Sequence, residues 1–284
     1  MPKKIISVVS GKGGVGKSTL AVNIATLLAK AGASTVLIDA DIYNPCVFFH
    51  LGLSPQSAGL QELLAGESTL DEVLPIHPAS GLRCVSSSIS PYGKIRFERL
   101  KKVVDMLEYE FIIIDCPPGF SELIKEAVAV STSVFVMMTP DMPSCTAALK
   151  LVSFMRNHGR GGRLPNMVYF LNRVTNAPYE IHPREVEGLF TARLGAVIPE
   201  DPNVPKSISA KTPLVLFSPY CPFSRALADF TEIMLHDRDS KFDISKPAKY
   251  TPAIFVDEMG REAEPAKREG LLARIARFLR DLFT

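Results

Sequence analysis

Short apolar runs, separated by longer amphipathic stretches, organise the chain up to about residue 236. The runs are rich in β-branched residues and predict seven strands. These predicted strands are Ile5–Ser10, Thr35–Asp39, Leu82–Ser86, Phe111–Asp115, Ser133–Thr139, Met167–Leu171 and Leu194–Ile198. Several of them are apolar at every position, which is typical of strands that are covered on both faces.

Helical periodicity fills much of the sequence between the predicted strands. The predicted helices include Lys17–Ala31 closed by Gly32, Arg96–Tyr109, Glu122–Val130, Ser144–His158 and Phe223–His236. Strand and helix in regular alternation predict an α/β fold with a mostly parallel, doubly wound sheet and helices on both faces.

The composition changes after residue 236, and this change predicts three parts. We expect one large domain over residues 1–236 and a charged, proline-containing linker over 237–269. A strongly patterned amphipathic segment follows at 270–284. The linker has one brief apolar run, Ala253–Val256, and is otherwise typical of a partly extended tether.

Composition and charge narrow the class of protein. Of 284 residues, 46% are apolar and 22% are charged, as in ordinary globular proteins, and the net charge of +2 indicates no bulk attraction to nucleic acid. The five cysteines include no C-x-x-C pair, which indicates reduced thiols. No apolar run reaches about 18 residues, and the N-terminus lacks a signal-peptide pattern, so we expect an intracellular protein that does not span a membrane.

A glycine-rich segment carries the clearest chemistry in the chain. Gly11-Lys12-Gly13-Gly14-Val15-Gly16-Lys17-Ser18 matches G-x-x-x-x-G-K-S/T, follows a predicted strand and opens a predicted helix. The glycines allow successive N–H groups to face phosphate oxygens, and the helix N-terminus adds partial positive charge. Lys17 would reach the β- and γ-phosphates, and the Ser18 hydroxyl would ligate Mg²⁺. The plainer alternative is a glycine-rich turn without a ligand.

Carboxylates at two other strand ends fit the same chemistry. Asp115 ends the apolar run Phe111–Asp115 and precedes Cys116-Pro117-Pro118-Gly119, a stretch suited to sensing a γ-phosphate. Asp39 and Asp41 follow the second predicted strand and are expected at the same carboxyl edge of the sheet, where ligands of open α/β sheets bind. A single aspartate in such a place is more often a turn or cap residue, but three of them behind a phosphate loop favour a Mg²⁺–nucleotide site.

The second lysine of the loop, Lys12, gives the segment a family resemblance. Lys12 to Thr19 resembles the deviant P-loop of the MinD/ParA family of ATPases, which also includes the Mrp-type iron–sulfur carriers and the nitrogenase iron protein. The resemblance covers roughly residues 3–236. Its further motifs are Asp39-Ala40-Asp41, Ile113 to Gly119, Leu171-Asn172-Arg173 and Ile198 to Pro202.

The resemblance implies roles for individual residues. It implies an ATP-dependent homodimer in which Lys12 reaches the partner's phosphates, Asp41 activates the hydrolytic water, and Asp39 lies in the outer sphere of Mg²⁺ beside the strand-end Asp115. The adenine contacts that it implies are Asn172, Arg173, Pro199, Glu200 and Asp201. Without the resemblance, Lys12 would be interpreted as an exposed loop lysine. The five adenine-contact residues would be interpreted as a turn asparagine and a loop that contains prolines.

The C-terminal segment Gly270–Thr284 has a two-sided pattern. Seven apolar residues fall on one predicted helical face: Leu271, Leu272, Ile275, Phe278, Leu279, Leu282 and Phe283. Arg274, Arg277 and Arg280 lie on the other face. The pattern predicts a helix that binds an anionic membrane surface, as in the MinD branch. The alternative is a helix that packs on the core or on a partner.

These features predict a MinD-like ATPase switch, peripheral on the inner face of the cell membrane, that positions a cellular assembly. It would use ATP and Mg²⁺, and an activating protein would stimulate its ATP hydrolysis. Three other functions remain open. The first is an Mrp-like iron–sulfur carrier, despite the missing C-x-x-C pair. The second is a ParA-type partitioning ATPase, with the basic loop Arg156–Arg163 touching DNA without sequence specificity. The third is an ATP-gated scaffold whose tail binds a partner protein.

Overall fold

A single parallel sheet forms the centre of the molecule. The computed structural model describes residues 3–88, 95–158 and 165–236. Within them, the strands are Lys4–Val9 (β1), Thr35–Asp39 (β2), Arg83–Val85 (β3), Phe111–Asp115 (β4), Ser133–Met138 (β5), Asn166–Val174 (β6) and Leu194–Pro199 (β7). They follow the order β3-β2-β4-β1-β5-β6-β7, and each neighbouring pair is parallel. The seven predicted strands and the α/β fold class are confirmed.

The described helices connect the strands across both faces of the sheet. They are Lys17–Lys30 (α1), Val47–Leu51 (α2), Leu60–Ala65 (α3), Leu70–Val73 (α4), Leu100–Met106 (α5), Glu122–Val130 (α6), Met142–His158 (α7), Pro183–Phe190 (α8), Asn203–Ser209 (α9), Leu214–Phe217 (α10) and Pro222–His236 (α11).

The sheet separates two apolar cores. Ile112 and Ile114 of β4 point into the core that α3, α5, α6, α7 and α8 cover, whereas Phe111 and Ile113 point into the core beneath α1, α2 and α11. Consecutive residues of a strand face opposite sides, so a strand that is apolar throughout requires helices on both faces. The doubly wound arrangement follows from this.

Three aromatic rings hold the far end of the sheet to the last described helix. Phe135 of β5, Phe170 of β6 and Phe230 of α11 have ring centroids 4.8–5.5 Å apart. All three side chains are fully buried. Large aromatic side chains contribute heavily to packing, so this cluster fixes α11 against β5 and β6.

Two predicted helices differ from the structure by more than one residue at a boundary. The helix predicted at Arg96–Tyr109 is a 3₁₀ turn at Phe97–Arg99 followed by α5, which ends at Met106 because Leu107 is already extended. The helix predicted to begin at Ser144 begins at Met142 instead, where the Asp141 side chain accepts a hydrogen bond from the N–H of Ser144.

The predicted linker at 237–269 and the predicted amphipathic helix at 270–284 lie outside the described residues. The same is true of the greater part of the basic loop Arg156–Arg163, because description stops at 158 and resumes at 165. Across the three described stretches, no helix combines the length and apolarity that a bilayer crossing requires.

Candidate functional site

The loop between β1 and α1 has the backbone of a phosphate cradle. Gly14 and Gly16 have φ values of 78° and 100°, in the left-handed region that favours glycine. Gly16 is the N-cap of α1, and its carbonyl accepts the N–H of Leu20. The first N–H groups of α1 therefore open into the loop, where partial positive charge favours an anion.

Three hydrogen bonds hold this loop in place. The Ser10 hydroxyl donates to the carbonyl of Lys12 at 2.8 Å, and the N–H of Gly119 donates to the carbonyl of Ser10 at 2.9 Å. On the opposite side, the Asn172 amide donates to the carbonyl of Val15 at 2.8 Å. The Gly119 contact comes from just beyond β4, and the Asn172 contact comes from β6. Residues on both sides of β1 therefore preorganise the loop.

Two glycines of the loop are required by close approach. A Cβ atom on Gly11 would lie 2.1 Å from the carbonyl oxygen of Ala147 in α7, and one on Gly16 would lie 2.4 Å from the Asn172 amide nitrogen. Gly13 is different, because the nearest atom to a Cβ there would be Pro118 at 3.9 Å. The loop therefore packs closely against α7 and β6 but is open at Gly13.

The predicted phosphate and metal residues of α1 face the carboxyl edge of β4. Lys17 and Thr19 are buried, whereas Ser18 is partly exposed. Lys17 and Ser18 both lower the pKa of Asp115, which places their side chains beside that carboxyl group. A cation, a hydroxyl and a carboxylate thus meet at the start of the helix.

Asp39 and Asp115 end neighbouring strands as register partners, and both are fully buried. The Asp39 carboxylate accepts the N–H groups of Asp41, Cys46 and Val47 at 3.1–3.2 Å. Burial, followed by the charge of Asp115, raises the pKa of Asp39 well above its ordinary value. Asp41 is also buried and accepts the N–H of Asn44 at 3.1 Å.

Among the described residues, neither carboxylate oxygen of Asp115 accepts a hydrogen bond of normal geometry, although the Ser18 hydroxyl lies close enough to lower the pKa of Asp115. Burial raises the pKa of Asp115, although the positive charge of Lys17 opposes this effect. A buried carboxylate without donors is costly unless a cation approaches it. Carboxylate and hydroxyl oxygens are the ligands that Mg²⁺ prefers, and it keeps several waters when it binds phosphates. The residues at this edge, Ser18, Asp39 and Asp115, therefore fit a Mg²⁺–nucleotide complex.

The five predicted adenine contacts occupy two different environments. Asn172 is buried against the loop through Val15, and Asp201 is buried and accepts the N–H of Asn203 at 2.9 Å. Arg173 and Glu200 are about half exposed and lie 3.8 Å apart as an ion pair, and Pro199 is the last residue of β7. The structure thus brings Asn172 to the phosphate loop and leaves the Arg173–Glu200 pair on the surface.

Lys12 has a partner that the sequence analysis does not single out. Its Nζ atom lies 3.3 Å from Oδ1 of Asp141, in the connection between β5 and α7. The signal available in the sequence was Asp141 itself, a carboxylate just beyond a strand end and just before a helix. All ten predicted membrane-binding residues, from Leu271 to Phe283, lie outside the described residues.

Comparisons with known proteins agree with this geometry. The family model described as ParA, NUBPL iron-transfer P-loop NTPase, matches residues 1–234. An uncharacterised ATP-binding protein of Methanocaldococcus jannaschii is 29% identical over 228 residues, which are 79% of this chain and 84% of that protein. An iron–sulfur cluster carrier protein of Deinococcus radiodurans is 32% identical over 242 residues, which cover 79% of this chain and 67% of that protein.

Septum site-determining proteins are also similar to this chain. The MinD protein of Synechocystis sp. is 30% identical over 229 residues, which are 75% of this chain and 82% of that protein. The solved structure of MinD complexed with Mg-ADP from Pyrococcus horikoshii superposes with a TM-score of 0.74 at 24% identity. It covers 82% of this chain and 96% of the other. At that identity the superposition establishes the fold.

Proposed function

This chain belongs to the MinD/ParA family of P-loop ATPases, and we propose that it is an ATP-driven dimerisation switch that docks on a membrane and positions a cellular assembly. The proposal has three parts, namely the chemistry at the carboxyl edge of the sheet, pairing of two copies across that edge, and docking through the C-terminal segment.

In the proposed chemistry, the loop N–H groups of Gly13 to Thr19 bind the phosphates and Lys17 neutralises the β- and γ-phosphate oxygens. Mg²⁺, when bound, would shield the charge that develops between these phosphates. Ser18 and Asp115 would hold it, with Asp39 acting through a water. Asp41, near the mouth of the site, would orient the attacking water and take its proton.

The observation that carries dimerisation is the position of four of the exposed aromatic residues. Tyr43, Phe120, Tyr179 and Tyr220 are 59%, 50%, 85% and 81% exposed. The first three lie in the connections that leave the carboxyl ends of β2, β4 and β6, respectively, and Tyr220 lies between α10 and α11. Because the strands are parallel, the first three connections lie at the edge that carries the phosphate loop.

Exposed aromatic residues occur singly on most proteins, but tyrosine and phenylalanine concentrated around one edge favour a protein interface. A second copy that meets this edge face to face would cover the rings and close the nucleotide from water. It would also bring each Lys12 near the other copy's phosphates. The proposal therefore takes the second copy as a contributor to the site.

Membrane docking rests on the sequence of the last fifteen residues. Seven apolar side chains on one predicted helical face would enter the interface, and Arg274, Arg277 and Arg280 would each gain on the order of 1 kcal/mol from anionic headgroups. One such helix binds reversibly. Two helices in one dimer would raise the avidity by about 10²–10⁴ through effective concentration. ATP binding would then favour docking, and hydrolysis, accelerated by an activating protein, would reverse it.

Two linked measurements test the proposal on the full chain. Light scattering with Mg²⁺ should show a dimer in ATP and a monomer in ADP. Sedimentation with anionic liposomes should then show pelleting in ATP that is lost in a chain ending at Glu269. Leu279→Glu, on the predicted apolar face, should release the protein, while Ala273→Glu, which adds the same charge on the opposite side, should release it much less.

The outcomes separate the parts of the proposal. A monomer in both nucleotides would remove the switch. A dimer in ATP that never pellets would rule out membrane docking and leave a protein groove as the target of the C-terminal segment. Pelleting that is identical in ATP and ADP would leave membrane attachment without nucleotide control.

The relative in Deinococcus radiodurans supports a second candidate, an iron–sulfur carrier. This chain has no C-x-x-C pair, so a bridging cluster would need single cysteines from two subunits. Cys221 is the candidate, yet it is buried and its thiol donates to the Ser224 hydroxyl at 3.2 Å. Anaerobic reconstitution with iron and sulfide tests this function. A cluster with defined stoichiometry that Cys221→Ser abolishes would support the carrier.

A further inference from the structure

Both ends of the segment between β2 and α3 contact one short stretch of chain. The segment leaves β2 after Asp39, includes α2, and ends at Leu60, where α3 begins. The stretch that it contacts is Ser86–Ser88, three buried residues that follow β3 and that we call the serine stretch. At one end of the segment, the Ser87 hydroxyl donates to the carbonyl of Asp39 at 2.7 Å. At the other end, the N–H of Leu60 donates to the carbonyl of Ser86 at 3.0 Å.

The peptide group between Asp39 and Ala40 is held from both sides. Its carbonyl accepts the Ser87 hydroxyl, and its N–H donates to the carbonyl of Asp115 at 2.8 Å. The backbone pairing of β2 with β3 ends one residue before Asp39, so the Ser87 side chain supplies the next hydrogen bond on that side of β2. A peptide group is a rigid plane. Because both of its polar groups are held, the direction in which the chain continues to Asp41 is fixed.

The first turn of α3 holds the serine stretch in turn. The Gln61 side chain forms two hydrogen bonds with the backbone of Ser88, since its oxygen accepts the N–H at 2.8 Å and its nitrogen donates to the carbonyl at 3.1 Å. The Glu62 carboxylate accepts the Ser88 hydroxyl at 2.9 Å and the N–H of Gly59 at 2.7 Å. A Cβ atom on Gly59 would lie 2.3 Å from the carbonyl oxygen of Ser86, so the two segments touch backbone to backbone. The serine stretch is therefore a rigid support.

Ser87 lies behind the candidate site. Its side chain is 1% exposed, and two strands, β2 and β4, separate β3 from the strand that precedes the phosphate loop. The turn that it holds leads directly to Asp41, whose N–H donates to the Asp39 carboxylate at 3.2 Å and whose carboxylate accepts the N–H of Asn44. We therefore expect any effect of Ser87 on the reaction to pass through this turn.

We propose that Ser87 is a positioning residue for ATP hydrolysis, whose hydroxyl holds the Asp39 carbonyl and thereby keeps the Asp41 carboxylate where it can take a proton from the attacking water. This inference rests on the proposed function, in which Asp41 activates that water. A general base works only within hydrogen-bond reach of the proton that it takes, and a displacement of about 1 Å can cost about 10²-fold in rate. Nucleotide affinity depends on the phosphate loop, which lies two strands away from Ser87. Loss of the hydroxyl should therefore reduce turnover and leave affinity unchanged.

Ser87→Ala removes the hydroxyl alone. Ser131→Ala is the matched control, because the Ser131 hydroxyl also donates to a backbone carbonyl at 2.7 Å, that of Ala127, but lies just before β5 at the opposite edge of the sheet. For the full chain of each variant, calorimetry gives the Kd for Mg-ATP and a single-turnover assay gives the hydrolysis rate. We expect Ser87→Ala to keep the wild-type Kd and to hydrolyse ATP about 10- to 100-fold more slowly. Ser131→Ala should match the wild type in both.

Asp41→Asn provides the decisive background. If Ser87 acts through Asp41, Ser87→Ala should slow hydrolysis in the wild type but leave the residual rate of Asp41→Asn unchanged, because the carboxylate that it positions is already lost. A general loosening of this edge would slow both backgrounds by the same factor. Thermal unfolding verifies that each variant is folded at the assay temperature. If Ser87→Ala fails to fold, Ser87→Cys has nearly the same shape with a much weaker donor and replaces it.

The outcomes separate this inference from the proposed function. The inference is overturned, and the proposed switch stands, if Ser87→Ala hydrolyses at the wild-type rate, loses affinity for Mg-ATP, or slows Asp41→Asn by the same factor as the wild type. If Asp41→Asn itself hydrolyses normally, the role of Asp41 in the proposed function fails, and the inference fails with it. The same holds if the wild type binds Mg-ATP and never hydrolyses it.

Discussion

Asp39 and Asp115 lie opposite each other at the ends of β2 and β4, two buried carboxylates in register on neighbouring strands. Asp39 is compensated by three backbone N–H groups, whereas in the described part of the chain neither oxygen of Asp115 accepts a hydrogen bond of normal geometry. Burial raises the pKa of both groups. The unliganded protein therefore carries an electrostatic cost at this edge, which a bound cation would offset.

Asp115→Asn should stabilise the protein when no nucleotide or Mg²⁺ is present. The raised pKa means that the folded surroundings disfavour the charged form, so a neutral side chain of the same shape should gain on the order of 1–3 kcal/mol in unfolding free energy. Urea unfolding in EDTA measures this. In saturating Mg-ATP, the wild type should gain about 3 kcal/mol at one hundred times its Kd, and the variant much less.

The exposed Asp105→Asn provides the control and should change stability by less than about 0.5 kcal/mol. A loss of stability for Asp115→Asn in EDTA would mean that the carboxylate is satisfied without a cation, and the metal assignment of this edge would be withdrawn.

Gly11→Ala and Gly13→Ala make the same chemical change two residues apart, with different expected results. The new Cβ at Gly11 would lie 2.1 Å from a backbone oxygen of Ala147, while at Gly13 it would meet nothing closer than 3.9 Å. We expect Gly11→Ala to lose about 2 kcal/mol or more of stability through backbone displacement. Gly13→Ala should stay within about 0.5 kcal/mol. Denaturant unfolding of both variants without ligand decides between them.

The sheet and the site edge could be predicted because their signals are local. An apolar run such as Phe111–Asp115 fixes a strand, and the carboxyl ends of parallel strands share one edge, so Asp39, Asp41, Asp115 and the loop had to lie together. The predicted strand Met167–Leu171 was short by three residues at its end, because β6 continues to Val174 through an irregular register and Arg173 at φ 62°.

What the sequence did not reveal depends on contacts between distant segments. The Lys12–Asp141 pair and the Asn172–Val15 hydrogen bond join residues 129 and 157 positions apart, and no periodicity marks them. The short helices α2, α4 and α10, of four or five residues, are also too brief for a helical pattern. Packing of α7 and β6 against the loop decides these contacts.

His50 in α2 should make the protein less stable in mild acid. Burial lowers the pKa of His50 from 6.5 to about 4. Between these two values the unfolded chain binds a proton that the folded protein rejects, so stability falls as the pH drops from 6.5 toward 4. A shift of this size corresponds to about 3 kcal/mol. His50→Gln should remove this component.

The measurement is the difference in unfolding free energy between wild type and His50→Gln at several pH values. It should be constant from pH 8 to about 7 and then move in favour of the variant as the pH falls. Every other group is the same in both proteins, so its contribution cancels in the difference. A pH-independent difference would show that folding does not shift the pKa of His50.

Lys17→Ala should abolish binding of ATP and ADP. Lys17 is buried beside Asp115 at the start of α1, where the loop N–H groups open toward a ligand. Without the ammonium group, the phosphates would face Asp115, Asp39 and Asp41 uncompensated. Calorimetric titration with Mg-ATP checks this. Lys30→Ala, at the exposed end of the same helix, is the control and should bind normally. Retained affinity in Lys17→Ala would contradict the phosphate-loop assignment.

Asp41→Asn should separate binding from turnover. Asp41 is buried two residues beyond the end of β2, and its carboxylate accepts the N–H of Asn44 at 3.1 Å, a contact that asparagine can keep through its carbonyl oxygen. The loop, Lys17 and Asp115 are unchanged, so Mg-ATP binding and ATP-dependent dimerisation should persist. Asparagine cannot accept a proton from water, so single-turnover hydrolysis should slow by about 10²- to 10⁴-fold. Asp229→Asn, on the exposed side of α11, makes the same change away from the site and should hydrolyse ATP at the wild-type rate.

Normal hydrolysis by Asp41→Asn would mean that another group activates the attacking water. Loss of dimerisation together with hydrolysis would instead make Asp41 part of the interface, because a residue that acts only on the attacking water has no reason to affect the pairing of two ATP-bound copies.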